Sequence, residues 1–196
     1  MWTNLIILGV ILLLGLFIIS IYNRLVGLRN QVNNGWSQIE VQLQRRYDLI
    51  PNLIETVKGY MTYEKSTLEA VVNARNSALA AKEHLDKKGG PTESSIKGLI
   101  GAEISLKRSL GDIFALAENY PQLKANETMQ NLQEELSSTE NKVAFARQAY
   151  NDQVMVYNTA QQVFPNVLLA GIFGHHAVEL YEVEDANAKK AVKVAF

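Results

Sequence analysis

The residues of this chain whose types could do chemistry are three histidines, a few adjacent carboxylate pairs and one arginine-rich cluster. His84 stands alone, whereas His175 and His176 are neighbours. Adjacent residues on a helix diverge by about 100°, so the pair does not converge on a metal ion as histidines four residues apart would. The carboxylate pairs Glu134-Glu135 and Glu184-Asp185 lie among other charged residues, where a solvated face is expected rather than a general acid and base. The chain has no cysteine, which removes disulfides, thiolate metal sites, cysteine nucleophiles and lipid attachment at cysteine. No glycine-rich phosphate loop or serine elbow occurs. The expectation is a protein that is not an enzyme, with no catalytic, cofactor-binding or metal-binding residue. Arg45, Arg46 and Asp48 beside Pro51 form the polar cluster of most interest. A proline within a helix frees backbone groups that such side chains can satisfy, which is a structural role.

The elements that must position these residues begin with an uncharged run. No charged side chain precedes Arg24, and Leu5 to Tyr22 is apolar apart from Ser20, a length of about 27 Å at 1.5 Å per helical residue. A helix apolar on every face and of this length is expected to span a bilayer. A cleaved signal peptide is disfavoured, because the start lacks a basic residue and Ile19-Ser20-Ile21-Tyr22 has no pair of small residues for cleavage. Arg24, Arg29, Arg45 and Arg46 all come after the span, so the expected topology is N-terminus outside and the long domain in the cytoplasm, with Trp2 and Tyr22 at the two interfaces. Gly9 and Gly15 fall on different faces and make no small-residue packing motif. With 19 basic against 20 acidic residues, a net charge of -1 leaves no electrostatic footprint for nucleic acid.

After the span the chain reads as long amphipathic helices. Leu25, Leu28, Val32, Trp36, Ile39, Leu43, Tyr47, Ile50, Ile54, Val57 and Met61 recur every three or four residues. Pro51 should kink or interrupt this helix, and Asp48 is a candidate cap for the helical turn after it. Between them stand only Leu49 and Ile50, and the stripe keeps its phase through Leu68, Val71 and Leu79. A kinked but continuous helix over 24–86 is therefore favoured over a reversal. Lys87-Lys88-Gly89-Gly90-Pro91 stops it. Thr92 caps a second helix, with Ile96, Leu99, Leu106, Leu110, Ile113, Ala117 and Tyr120 in register as far as Pro121. A third carries Met129, Leu132, Leu136, Val143, Ala146, Tyr150, Val154, Tyr157 and Phe164. Tyr150-Asn151 and Tyr157-Asn158 stand one heptad apart, the tyrosines expected as core residues with hydroxyls reaching water.

The motifs carry a resemblance. Leu28-Arg29-Asn30, the run from Trp36 through Gln38-Ile39-Glu40 and Arg45-Arg46-Tyr47-Asp48-Leu49-Ile50-Pro51-Asn52-Leu53, and Glu55-Thr56-Val57-Lys58-Gly59-Tyr60 resemble the LemA family. So do Asn119-Tyr120-Pro121, Leu123-Lys124-Ala125-Asn126-Glu127, Leu132-Gln133-Glu134-Glu135-Leu136, Thr139-Glu140-Asn141, Ala146-Arg147, Tyr157-Asn158 and Phe164-Pro165. Glu40, Tyr63 and Leu180-Tyr181-Glu182 depart from the family pattern. The resemblance implies an all-α fold in which the transmembrane helix leads into an antiparallel up-and-down bundle of four helices, if Pro51 divides the first. It implies no catalytic residue and a bacterial inner-membrane setting. LemA-like proteins are often encoded near membrane proteases and include a relative involved in forming magnetosome membranes.

The chain thus divides into an anchor over 1–23, a helical bundle over 24–165 and a tail over 166–196. Val167 to Phe173 is apolar but too short to cross a bilayer, and Pro165 and Gly174 break it. It either seals the bundle end or lies on the membrane, and the lack of a lysine-rich face favours the seal. Val192, Val194 and Phe196 alternate as in a short extended segment that could dock on the bundle or on another subunit. The function expected is a non-enzymatic scaffold that self-associates through its soluble helices and organises membranes or membrane-protein partners. The alternative is a signalling or protease adaptor with a soluble partner. Self-association has a stated motive: the helices over 24–86 and 126–164 exceed the one over 92–119, and their surplus apolar seam must be covered, by a second copy or by the tail.

Overall fold

A computed structural model describes residues 2–61, 63–87 and 92–182. Among them are six helices and no strand: α1 (Trp2–Lys58), α2 (Lys65–Lys87), α3 (Glu93–Ala117), α4 (Pro121–Lys124), α5 (Glu127–Gln162) and α6 (Asn166–Ala170). The expected stop after α2 beyond Lys87, the pair Glu184-Asp185 and the alternating residues Val192, Val194 and Phe196 lie outside the described residues.

The first long helix both continues and ends where the sequence pattern does not show it. α1 runs through Pro51 without a break, so Asp48 is no cap and instead accepts a hydrogen bond from Gln44 Nε2 one turn earlier (2.9 Å). The chain turns back between the end of α1 at Lys58 and the start of α2 at Lys65, and the single helix expected over 24–86 is two antiparallel helices. Arg75 of α2 reaches the Tyr47 carbonyl and Lys82 reaches Gln44, so rising numbers on α2 meet falling numbers on α1. The apolar stripe keeps its phase across the turn because Met61, Leu68 and Val71 face the same core from the returning segment. Periodicity reports which face is buried and is blind to a reversal that preserves it.

Pro51 explains one of these contacts. It has no N–H, so the carbonyl four residues back, that of Tyr47, loses its helical donor. Arg75 Nε donates to that carbonyl at 2.7 Å, which satisfies the orphan and ties α2 to α1 at the proline.

Direction alternates along the bundle. Glu103 of α3 meets Arg46 and Tyr47 of α1, and Tyr120 meets Glu64, so α3 runs parallel to α1. Contacts of Trp36 with Tyr150, Arg45 with Glu135 and Tyr60 with Asn126 make α5 antiparallel to it. Asn126 caps α5 by accepting from Met129 N–H, as its side chain and position require. Gly35 allows the close approach of α1 and α5: a Cβ there would lie 3.3 Å from Tyr150 Cα. The sequence-derived stripes are the observed core, with Leu28, Leu79, Val143, Ala146 and Tyr120 only half-buried. Phe164 is the exception: it ends the α5 stripe yet is exposed. The helix has already stopped at Gln162, so its 3.6-residue register no longer aims the ring inward.

The first part of α1 packs against almost nothing. Its most apolar 18-residue window has a mean hydropathy of 3.0 and only 6% of it is buried, which excludes the core helix of a soluble domain.

Candidate functional site

The polar side chains that do the most structural work on the bundle surface are Asn151 and Asn158. Both lie on α5 next to the buried tyrosines Tyr150 and Tyr157, and an extended strap over 175–182 runs past them. Asn158 accepts from Val178 N–H (2.9 Å) and its Nδ2 donates to the Val178 carbonyl (2.9 Å). Asn151 does the same with Tyr181 (2.8 and 3.1 Å). The repeat has a simple metric cause. Seven helical residues advance about 10.5 Å, and three extended residues advance about 10 Å, so one heptad of helix matches three residues of strap. Each amide presents one acceptor and two donors, and here it serves as the missing neighbouring strand for a segment that has none.

The tyrosine hydroxyls complete the arrangement. Tyr150 donates to the Glu179 carbonyl (2.9 Å), and the Tyr157 hydroxyl meets His175 Nδ1 at 2.9 Å. Sequence reasoning expected these hydroxyls in water; they are bonded to the strap instead, because the tail covers the end of the seam on which they lie. Burial pushes both phenols above their usual range, against the opposing pull of Arg29, whose guanidinium lies 5.7 Å from the Tyr157 ring centroid. His175 is held below its ordinary value, first by burial and then by the charge of Arg29. The side chains of Val178 and Tyr181 enter the core, Tyr181 with its ring 6.1 Å from Trp36. The strap thus closes the seam along α1 and α5 from within the chain, leaving a groove of about 540 Å³ between itself and Glu93, Ile96, Lys97 and Ile100 of α3.

Beneath the strap, Arg46 and Glu103 form a buried ion pair (3.1 Å), Tyr47 donates to the other Glu103 oxygen, and Glu140 lies 4.0 Å from Arg46. This knot ties α1, α3 and α5 together. Burial is the largest influence on Glu103 and holds its carboxyl above the ordinary glutamate range, with Tyr47 and Arg46 pulling the other way. Tyr47 is pushed up by burial and by the Glu103 charge.

The residues singled out in the sequence part company. Arg45 pairs with Glu135 on the exposed surface (2.9 Å), Arg46 goes into the knot, and neither touches the carbonyl that Pro51 orphans. Arg75, the residue that does, carries no local signal; only the rule that proline frees the carbonyl four residues back would have prompted a search for a donor. Glu134 is exposed and apart from the Arg45–Glu135 pair. His84 is exposed on α2, far in sequence from His175 and His176, and among the described residues no three His, Cys, Asp or Glu side chains converge. The asparagines stood in plain view, but nothing in the local sequence says what a surface amide will hold.

These features define a class: a membrane-associated helical protein in which an apolar helix continues into an antiparallel bundle sealed by its own tail. A profile of the LemA family matches residues 35–196, and the chain belongs to that family. Its relatives include the magnetosome protein MamQ of Magnetospirillum gryphiswaldense, 27% identical over an alignment covering 85% of this chain and 66% of that protein. Magnetosome protein MamQ 2 of Paramagnetospirillum magneticum is 25% identical with the same coverage. The chain therefore spans about two thirds of the length of the curated relatives it matches.

Proposed function

We propose that the protein is a membrane-anchored, non-enzymatic helical scaffold that stands in the cytoplasm, self-associates through its soluble helices and organises membrane or membrane-protein partners. One observation carries this reading. The apolar segment and the first helix of the bundle are one helix, α1, hydrogen-bonded from Trp2 to Lys58. An anchor joined by a flexible linker leaves its domain free to tumble, whereas a continuous helix makes the bundle a post whose direction is set by the span. Residues 24–58 raise that post about 50 Å above the bilayer at 1.5 Å per residue.

Self-association finds support in a different place from the one the sequence suggested. The surplus seam of α1 and α5 is covered by the tail, so it does not call for a second copy. What stays open is Phe145 on α5, 71% exposed, beside a groove of about 380 Å³ lined by Gly35, Gln38, Gln42, Ala146 and Ala149. A protruding ring beside a shallow groove suits an isologous contact, and anchoring in two dimensions raises the effective concentration of neighbours. Light scattering on the full chain and on protein lacking residues 1–23, at matched concentrations, tests the reading. Higher-order species in both preparations support helix-driven assembly. Species only with the anchor place the contact in the membrane, and monomers in both remove self-association from the proposal.

A further inference from the structure

Between Asp152 and Glu179 the chain carries no Asp, Glu, Lys or Arg. The middle of this stretch makes a turn at the end of the bundle where α1 emerges from its apolar part. One side of the turn is used internally: Ile21, Leu25, Ala160 and Ala170 bury one another, with Leu169 packed alongside, and Phe173 meets Tyr22 edge-to-face at 5.1 Å. The other side is used by nothing among the described residues. Phe164 is 79% exposed, Ile172 78% and Leu168 62%, and Val167 is exposed beside them. A cluster of large apolar side chains facing water is a liability unless something covers it.

Its height identifies what does. Counting back from Tyr22, about 20 residues at 1.5 Å fill a hydrocarbon core of about 30 Å, which puts Tyr22 at the interface and Trp2 at the other. The turn packs on Ile21, Tyr22 and Leu25, so it lies at that same interface. The α2 and α3 pair does not reach it: Glu103 meets Arg46, so the start of α3 at Glu93 stands level with roughly residue 36 of α1, about 20 Å further from the membrane. The missing lysine-rich face, which argues against a free amphipathic helix settling on lipid, has no force here. The span already holds the turn at the bilayer and no electrostatic capture is required.

We propose that the turn over 163–173 is a second membrane contact, with Phe164, Val167, Leu168 and Ile172 inserted at the boundary between headgroups and acyl chains of the leaflet from which α1 emerges. This rests on α1 being a membrane span. Two contacts on different sides of one axis fix the rotation and tilt of the bundle relative to the bilayer, which a single span leaves free.

The absence of cysteine makes the test direct. Single variants Leu168→Cys and Ile172→Cys of the full chain carry an environment-sensitive NBD dye and are reconstituted into phosphatidylcholine and phosphatidylglycerol vesicles, without spin label or with lipid spin-labelled either high on the acyl chain or near its end. Leu12→Cys, in the span, and Tyr63→Cys, exposed at the far end of the bundle, are the references. Emission from positions 168 and 172 should be blue-shifted and quenched several-fold more strongly than from position 63. Quenching no greater than at position 63, with position 12 quenched, overturns the second contact and leaves the span standing. No quenching at position 12 overturns both. A blue shift at 168 and 172 without lipid quenching means that protein, not lipid, covers the turn, and also overturns the proposal.

Discussion

Replacing Asn151 or Asn158 by alanine should loosen the strap by an amount that the hydrogen bonds set. Each amide makes two bonds to strap backbone, and a neutral bond contributes about 1 kcal/mol net, so each substitution should cost about 2 kcal/mol. In a chain of this size 1 kcal/mol moves the melting temperature by about 2–4 °C, so the expected fall is about 4–8 °C per site in detergent. Asn→Asp separates the two bonds, keeping the acceptor for Val178 or Tyr181 N–H while losing the donor and setting a carboxylate against a carbonyl; it should be worse than alanine. The chain supplies its own reporter. Trp36 is buried 5.4 Å from the Tyr150 ring and 6.1 Å from that of Tyr181, so in a Trp2→Phe background its emission should shift to the red as Tyr181 leaves. Hydrogen exchange should show faster exchange at Val178 and Tyr181 amides in the variants. A loss below about 0.5 kcal/mol with both amides still protected would refute the ladder, leaving Val178 and Tyr181 packing as the force that holds the strap.

Three further outcomes are expected. Glu103→Ala removes the buried partner of Arg46 and leaves it only Glu140 at 4.0 Å, so it should destabilise the protein by about 3–5 kcal/mol in denaturant unfolding. Because the native Glu103 carboxyl is raised, it holds its proton more tightly than in the unfolded chain, and its contribution to stability falls as pH rises above the ordinary glutamate value of about 4.3; Glu103→Gln should flatten that part of the pH profile. On topology, a reporter active only outside the membrane should work when fused before Trp2 and fail after Phe196. The opposite pattern would overturn the inference from Arg24 and Arg29, the arginines nearest the span.

The sequence by itself determined the all-helical class, most of the buried faces and the apolar N-terminal run. These come from spacing and composition, which act over a few residues: apart from half-buried Leu28, the stripe from Leu25 to Val57 is buried as its period requires, and the uncharged run up to Ser20 is left almost wholly unburied. Tertiary structure decided three things. It placed the reversal between Lys58 and Lys65, because a returning chain can present Leu68 and Val71 to the same core without breaking phase. It chose Arg75 as the donor for the carbonyl freed by Pro51, a pairing across 28 positions that no local rule names. It also laid the strap over Asn151 and Asn158 and turned Phe164 outward. A side chain's partner is settled by which distant segment arrives beside it, and periodicity carries information only about its own helix.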